Sequence, residues 1–133
     1  MKFTRQLCKK LNIKYNNYLH RLEIFKLETL EVRRIKVDLI LVFKIYNKLI
    51  DIENEQFFTT SIIHQKYNLR RHKFYLNHTS IPKTSVRSSF FINRVIKTWN
   101  KLPEEVVSSK TIVEFKSKLN KINVQDYVKL VII

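Results

Sequence analysis

Glycine is absent from all 133 residues of the chain, and proline occurs only twice. Glycine normally supplies the positive backbone φ of tight turns and helix C-caps, so other residues must take those positions. We expect asparagine and lysine to close the helices. The lack of glycine also excludes glycine-rich phosphate-binding loops and two-residue hairpins, because both need backbone conformations that other residues adopt only at a cost.

Cysteine and metal-binding patterns are equally scarce. Cys8 is the single cysteine, so no disulfide can form within the chain and we expect it to pack as a small apolar side chain. The histidines are spread over three segments without paired cysteines, namely His20, His64, His72 and His78. This spacing does not favour a zinc site, and we expect neither metal nor cofactor.

Motifs for catalysis and for membrane crossing are missing as well. The sequence has no serine nucleophile elbow, Walker loop, HExxH motif or paired-carboxylate metal site, so we expect no enzyme and no small-molecule substrate. It has no uncharged apolar run of about 18 residues and no apolar leader. We therefore expect no membrane partner and no secretion, and an intracellular location, nuclear or cytoplasmic.

Acidic residues are few: 11 Asp and Glu stand against 26 Lys and Arg, a formal net charge of +15. Such a field attracts polyanions, of which nucleic acid is the commonest, with a membrane surface or an acidic protein as lesser options. The alternative explanation of this basic excess is a compositional bias toward lysine, asparagine and isoleucine. We predict RNA or DNA as the partner, held by contacts to the phosphate backbone.

The chain is organised around residues 30–50, which contain no helix breaker. Apolar side chains recur there at helical spacing, at Val32, Ile35, Leu39, Val42, Tyr46 and Leu49. The opposite face is basic, with Arg33, Lys36, Lys44 and Lys48. We expect Thr29 to cap this helix and several partner helices to cover its apolar side.

Two shorter helices are predicted before it. In residues 3–13, Phe3, Leu7 and Leu11 share one face, with Lys9 and Lys10 off it, which predicts a short amphipathic helix. Asn17 is a suitable N-cap for a second helix over residues 18–26.

Helical spacing returns near the carboxyl end. A buried seam is predicted from Phe91, Ile92, Val95, Ile96, Trp99 and Leu102. Basic residues fall on the far side of the same helix, at Arg87, Arg94, Lys97 and Lys101. Pro103 should end this helix, and Thr111 with Glu114 forms a capping box that starts the last one.

The middle segment, residues 51–86, has poor periodicity and room for a short β-hairpin, with strands around residues 73–76 and 80–83. Here Arg70, Arg71 and Lys73 interleave with aromatic residues, including Phe74 and Tyr75. Cations for phosphates and rings for base stacking suit single-stranded nucleic acid. The alternative, weighted equally, is a surface loop whose rings attach it to the core.

These patterns predict a mainly all-α fold, a bundle of about five helices with an irregular middle. We expect a single domain over residues 1–133. Its parts are a helical portion (1–50), the loop-rich middle (51–86), two helices (87–123) and an apolar tail (124–133).

Two long patterns also resemble a known family, the region that follows the polymerase domain in reverse transcriptases of non-LTR (LINE-type, jockey-like) retrotransposons. The first pattern, RL…L…L…RR…DL…VYKI, is matched by Arg21, Leu22, Leu27, Leu30, Arg33, Arg34, Asp38, Leu39, Val42, Phe43, Lys44 and Ile45. The second, FF…R…WN.LP..VV…S…FK..L, is matched by Phe90, Phe91, Arg94, Trp99, Asn100, Leu102, Pro103, Val106, Val107, Phe115, Lys116 and Leu119.

The resemblance implies the carboxy-terminal, thumb-proximal part of an RNA-directed DNA polymerase encoded by a mobile element. The family's catalytic aspartate pair, its endonuclease and the cysteine–histidine knuckle of some relatives are not in this sequence. The resemblance therefore carries over no catalytic residue. It implies a non-catalytic remnant or C-terminal fragment that retains a basic helical region.

We therefore predict nucleic-acid binding by eleven basic residues: Arg33, Lys36, Lys44, Lys48, Arg70, Arg71, Lys73, Arg87, Arg94, Lys97 and Lys101. The rival hypothesis is a helical protein–protein interaction module without a nucleic-acid role. It would dock through the apolar faces of residues 3–25 and the apolar tail.

Overall fold

The structure is a computed structural model that describes residues 2–52, 58–60, 72–78 and 95–127. In chain order the elements are α1 (Lys2–Lys10), α2 (Tyr18–Ile24), α3 (Leu30–Tyr46), β1 (Phe58–Thr60), β2 (Leu76–His78), α4 (residues 95–99), α5 (Glu104–Val107), α6 (Ile112–Lys121) and α7 (residues 124–127). The fold is mainly α-helical with a small antiparallel strand pair, as predicted.

The chain divides into two compact units, Met1–Arg33 and Arg34–Ile133. The boundary falls inside α3, between Arg33 and Arg34. The first unit holds α1, α2 and the first turn of α3, and the second holds the remaining elements. The expectation of a single domain stays a prediction.

Side-chain caps start three helices where the sequence predicts them. The His20 amide donates to Asn17 Oδ1 at 2.9 Å, and the Val32 amide donates to Thr29 Oγ1 at 3.3 Å. At α6 the Glu114 amide donates to the Thr111 hydroxyl at 3.2 Å. The Glu114 carboxylate accepts from the Lys110 amide rather than from the Thr111 amide that a capping box predicts, so only half of that motif forms.

Three helices or helical turns close without glycine, on Asn12, Lys26 and Lys48, whose φ values are 55°, 49° and 54°. At each of these ends the backbone hydrogen bonds are those of a Schellman motif. At α1, for example, the Ile13 amide donates to Cys8 O and the Asn12 amide donates to Lys9 O. The expectation that asparagine and lysine replace glycine is confirmed.

The buried face of α1 is not the apolar face that its spacing defines. Thr4 and Cys8 are buried, whereas Phe3 is 72% exposed and Leu11 is 55% exposed. Positions 4 and 8 lie one residue, about 100°, around the helix from positions 3, 7 and 11. Periodicity locates an apolar stripe, but the small side chains at 4 and 8 are the ones that permit close packing.

The buried face of α3 follows the predicted spacing through Val32, Ile35, Leu39 and Val42. Tyr46, placed on the same face, is half-buried. The prediction is wrong at Leu49, which is 57% exposed, because the helix ends at Tyr46 and the chain turns at Lys48. Phe43 and Ile45, which were not assigned to the buried face, are also buried.

An aromatic cluster forms the core of the second unit. Phe43 stacks on Phe115 with ring centroids 4.4 Å apart, and Trp99 lies 5.8 Å from Phe115 and 6.2 Å from Tyr46. The predicted seam of α4 is buried at Val95, Ile96, Trp99 and Leu102. Phe91 and Ile92 lie outside the described residues.

The strand pair differs from the predicted one. β1 and β2 are antiparallel with Phe58 opposite His78, Thr59 opposite Asn77 and Thr60 opposite Leu76. The strand expected over residues 73–76 begins only at Leu76, and its partner comes from residues 58–60. The second expected strand, residues 80–83, lies outside the described residues.

Candidate nucleic-acid interface

The structure describes seven of the eleven basic residues assigned to nucleic acid. Arg33, Lys48, Lys73, Lys97 and Lys101 are exposed, while Lys36 and Lys44 are half-buried. Arg33 belongs to the first unit and the other six to the second. The remaining residues lie outside the described ranges, namely Arg70, Arg71, Arg87 and Arg94.

The lysines of α3 differ in their surroundings. Lys36 Nζ donates to Asn120 Oδ1 of α6 at 2.9 Å, so its side chain is engaged between two helices. Lys48 follows the helix, in the left-handed conformation that closes it, and its side chain is exposed. Lys48 therefore presents its ammonium group to solvent more openly than Lys36 does.

Trp99 and Asn100 fasten the 72–76 loop to the end of α4. The indole Nε1 of Trp99 donates to Phe74 O at 2.9 Å. The Leu76 amide donates to Asn100 Oδ1, and Asn100 Nδ2 donates to Leu76 O, both at 2.9 Å. The side chain of Asn100 thus satisfies both backbone groups of Leu76, as a third strand would do.

His72 continues this attachment, since its Nε2 lies 3.3 Å from Trp99 O. The loop then turns by a hydrogen bond from the Tyr75 amide to His72 O. Lys73 lies within this turn, between two residues that contact Trp99. The structure thereby brings Lys73 to the end of α4, which carries Lys97 and is followed by Lys101.

The position of the Phe74 ring does not favour stacking on a base. Phe74 is half-buried and meets Tyr46 edge to face, with ring centroids 5.9 Å apart. Its carbonyl is also bonded to Trp99. At this position the alternative interpretation holds, in which an aromatic residue attaches the loop to the core.

Helix α6 offers exposed lysines that the sequence analysis did not assign to the interface. Lys116 and Lys121 are exposed. Lys118 Nζ lies 2.6 Å from Glu114 Oε1 and donates to Glu105 O at 2.8 Å. The outward position of these lysines follows from helical spacing.

The described part of the first unit holds one arginine in a structural role. The Arg21 guanidinium lies over the Tyr15 ring at 4.6 Å from its centroid and near the Tyr18 ring at 5.7 Å. Such contacts join a cation to aromatic faces and stabilise the local fold. Arg21 is therefore a packing residue rather than a candidate for phosphate contact.

Among the described residues, Glu114 and Tyr46 have shifted pKa values. The hydrogen bond from the Lys118 ammonium lowers the pKa of Glu114, and the bond from the Lys110 amide adds to this effect. Burial raises the pKa of Tyr46, because removal from water disfavours the charged phenolate.

Within residues 2–52, 58–60, 72–78 and 95–127, no three His, Cys, Asp or Glu side chains are grouped so that they could hold a metal ion. In the same ranges, no helix has the length and apolar character that crossing a bilayer requires.

Comparisons with protein-family models, curated proteins and solved structures found no match for this chain.

Proposed function

We propose that this chain is a non-catalytic nucleic-acid-binding module, the counterpart of the post-polymerase region of a non-LTR retrotransposon reverse transcriptase. The observation that carries the proposal is the net charge of +15 together with exposed basic side chains on the described surface. A folded chain that keeps its cations in solvent has a field suited to a polyanion. The module would act inside the cell, in the nucleus or cytoplasm.

The binding mode follows from which cations are held in place. Lys73 lies in a turn fixed by the contacts of His72 and Phe74 to Trp99, and Lys101 follows Asn100, whose side chain is bonded to Leu76. Lysines on an anchored backbone contact phosphates with less loss of conformational entropy than lysines on a free loop. The contacts address the backbone of the nucleic acid, so affinity should depend weakly on base sequence.

A titration by fluorescence anisotropy tests this proposal. Single-stranded RNA, single-stranded DNA and duplex DNA are titrated at low and high salt. Affinity should fall steeply with salt, since each neutralised phosphate contributes a slope of about −0.7 for single strands or −0.9 for duplex in log K against log salt. Binding that is absent, or equally strong at both salt concentrations, would contradict the proposal.

Charge reversal locates the surface. We expect Lys97→Glu with Lys101→Glu to weaken binding about tenfold or more and to reduce the salt slope by about two. The matched control is Lys116→Glu with Lys121→Glu, which changes the total charge equally at exposed lysines of α6, outside the assigned surface. Equal losses of affinity in both variants would show that only net charge matters and would contradict the assignment of the surface to Lys97 and Lys101.

A protein-interaction module remains a second candidate because of one observation. Large apolar side chains of the first unit are exposed, among them Phe3, Leu11, Leu19, Leu27 and Leu30. Contacts of this type bury apolar area, so their affinity should respond little to salt. The anisotropy titrations at two salt concentrations therefore discriminate between the two functions.

A further inference from the structure

A cavity of about 320 Å³ lies within the first unit, between α1, α2 and the first turn of α3. Its lining includes Phe3, Thr4, Tyr18, Leu27 and Arg33. This volume is at the lower end of the roughly 300–1,000 Å³ typical of ligand pockets. The cavity is therefore large enough for one planar group of a larger ligand.

The apolar walls of the cavity include two aromatic rings, from Phe3 and Tyr18. Phe3 is 72% exposed although it lines the cavity, which is a costly position for a large apolar side chain. Aromatic rings at an accessible position are the groups on which unstacked bases lie in complexes with single strands.

Thr4 and Arg33 are residues of the cavity lining that carry polar groups. Thr4 Oγ1 is buried and has no hydrogen-bond partner among the described residues. A buried hydroxyl without a partner lowers stability, and a ligand with a hydrogen-bonding edge would supply the missing partner after a small shift of the lining. Arg33 is exposed and lines the same cavity.

We propose that this cavity accepts one unstacked base of a single-stranded RNA or DNA, with Arg33 on the neighbouring phosphate. This inference rests on the proposed nucleic-acid binding and adds to it the type of strand and the residues that contact it. Charge favours this ligand over an apolar protein side chain: residues 1–33 carry 8 basic and 3 acidic side chains. An apolar side chain would also leave the Thr4 hydroxyl unpaired and make no use of the guanidinium.

The test uses the full chain and a short single strand that contains one 2-aminopurine, whose fluorescence reports unstacking and contact with an aromatic ring. Phe3→Ala removes an exposed ring, and the matched control Leu19→Ala removes a comparably exposed apolar side chain that does not line the cavity. Thr4→Val keeps the side-chain shape, removes the hydroxyl and should not lower folding stability.

We expect Phe3→Ala to weaken single-strand binding by about 5- to 100-fold and to abolish the change in 2-aminopurine fluorescence. Leu19→Ala should leave both readouts within about twofold of wild type, and duplex affinity should stay within about twofold in all variants. Thr4→Val should weaken single-strand binding by several-fold.

The failure of the inference and the failure of the proposed function are distinguishable. If the wild type binds single strands but Phe3→Ala binds equally well and 2-aminopurine does not respond, the base pocket is refuted and general nucleic-acid binding stands. If the wild type binds neither single strands nor duplex, both are refuted. Salt-insensitive self-association that Phe3→Ala removes would assign the cavity to an apolar side chain of a second copy and overturn the base pocket.

Discussion

Three of the described residues occupy the helix-end position that glycine takes in most helical proteins. Asn12, Lys26 and Lys48 adopt a positive φ at helix ends, where the Schellman hydrogen bonds require it. For a residue with a Cβ atom this conformation costs roughly 1–2 kcal/mol. Within the described ranges this cost arises at Asn12, Lys26 and Lys48, so we expect glycine at any of these positions to stabilise the chain.

The first prediction concerns Lys26, which is exposed. We expect Lys26→Gly to raise the free energy of unfolding by about 0.5–1 kcal/mol, since the relief of the left-handed strain exceeds the added entropy of the unfolded chain. The matched control is Lys116→Gly in the interior of α6, which should lower stability by about 1 kcal/mol. Urea denaturation measures both, and a loss of stability in Lys26→Gly would contradict the argument.

The second prediction concerns the pH dependence of α6. The pKa of Glu114 is lowered in the folded state from its usual value of 4.5. A carboxyl group whose folded pKa is depressed contributes stability above the unfolded pKa and loses it as pH falls through the folded pKa. Wild type should therefore lose stability below about pH 4.5 more steeply than Glu114→Gln does. Thermal unfolding of both proteins across this range is the measurement, and parallel curves would exclude the contribution of Glu114.

At the scale of elements, the conspicuous feature is the attachment of β2 and its preceding loop to α4. β2 is short, and a free strand edge exposes unpaired backbone groups. The amide of Asn100 covers one such position by bonding to both backbone groups of Leu76, and the Trp99 indole bonds to Phe74 O. Trp99 and Asn100, two adjacent residues of the WN.LP pattern, thus have a structural role in this chain.

The third prediction tests that role. We expect Asn100→Ala to lower the free energy of unfolding by about 1–3 kcal/mol, because two half-buried backbone groups lose their partner. Asn100→Asp keeps an acceptor for the Leu76 amide but places a carboxylate oxygen against Leu76 O, so hydrogen exchange at the Leu76 amide should stay slower than in Asn100→Ala.

The control for this experiment is Asn120→Ala, which removes an exposed side-chain hydrogen bond to Lys36 and should change stability by less than about 0.5 kcal/mol. If Asn100→Ala and Asn120→Ala had the same small effect, the attachment of β2 would contribute little to the fold.

At the scale of the whole molecule, a charge of +15 on 133 residues repels itself in the compact state. Added salt screens this repulsion, since the Debye length falls from roughly 30 Å at 0.01 M to about 3 Å at 1 M. The same charge that attracts a polyanion therefore makes the isolated chain less stable.

The fourth prediction follows from this repulsion. Raising sodium chloride from about 0.02 M to about 0.5 M should raise the urea midpoint of unfolding. A variant in which exposed lysines are neutralised, Lys9→Gln, Lys10→Gln and Lys121→Gln, should start from a higher midpoint and respond less to salt. A midpoint that falls with salt would mean that attractive ion pairs, rather than repulsion, dominate the charge interactions of this chain.

The sequence by itself determined the features that depend on near neighbours. The caps at Asn17, Thr29 and Thr111 form because donor and acceptor lie within three residues, and the lack of glycine forces asparagine and lysine into helix ends. The mainly helical fold and the buried stripe of α3 follow from periodicity.

Only the tertiary structure decided what depends on distant contacts. The interior side of α1, the pairing of residues 58–60 with 76–78, and the attachment of Phe74 and Leu76 to Trp99 and Asn100 join segments far apart in the chain. No local spacing encodes such contacts, because they form only where packed elements bring a donor and an acceptor, or two apolar faces, to the same place.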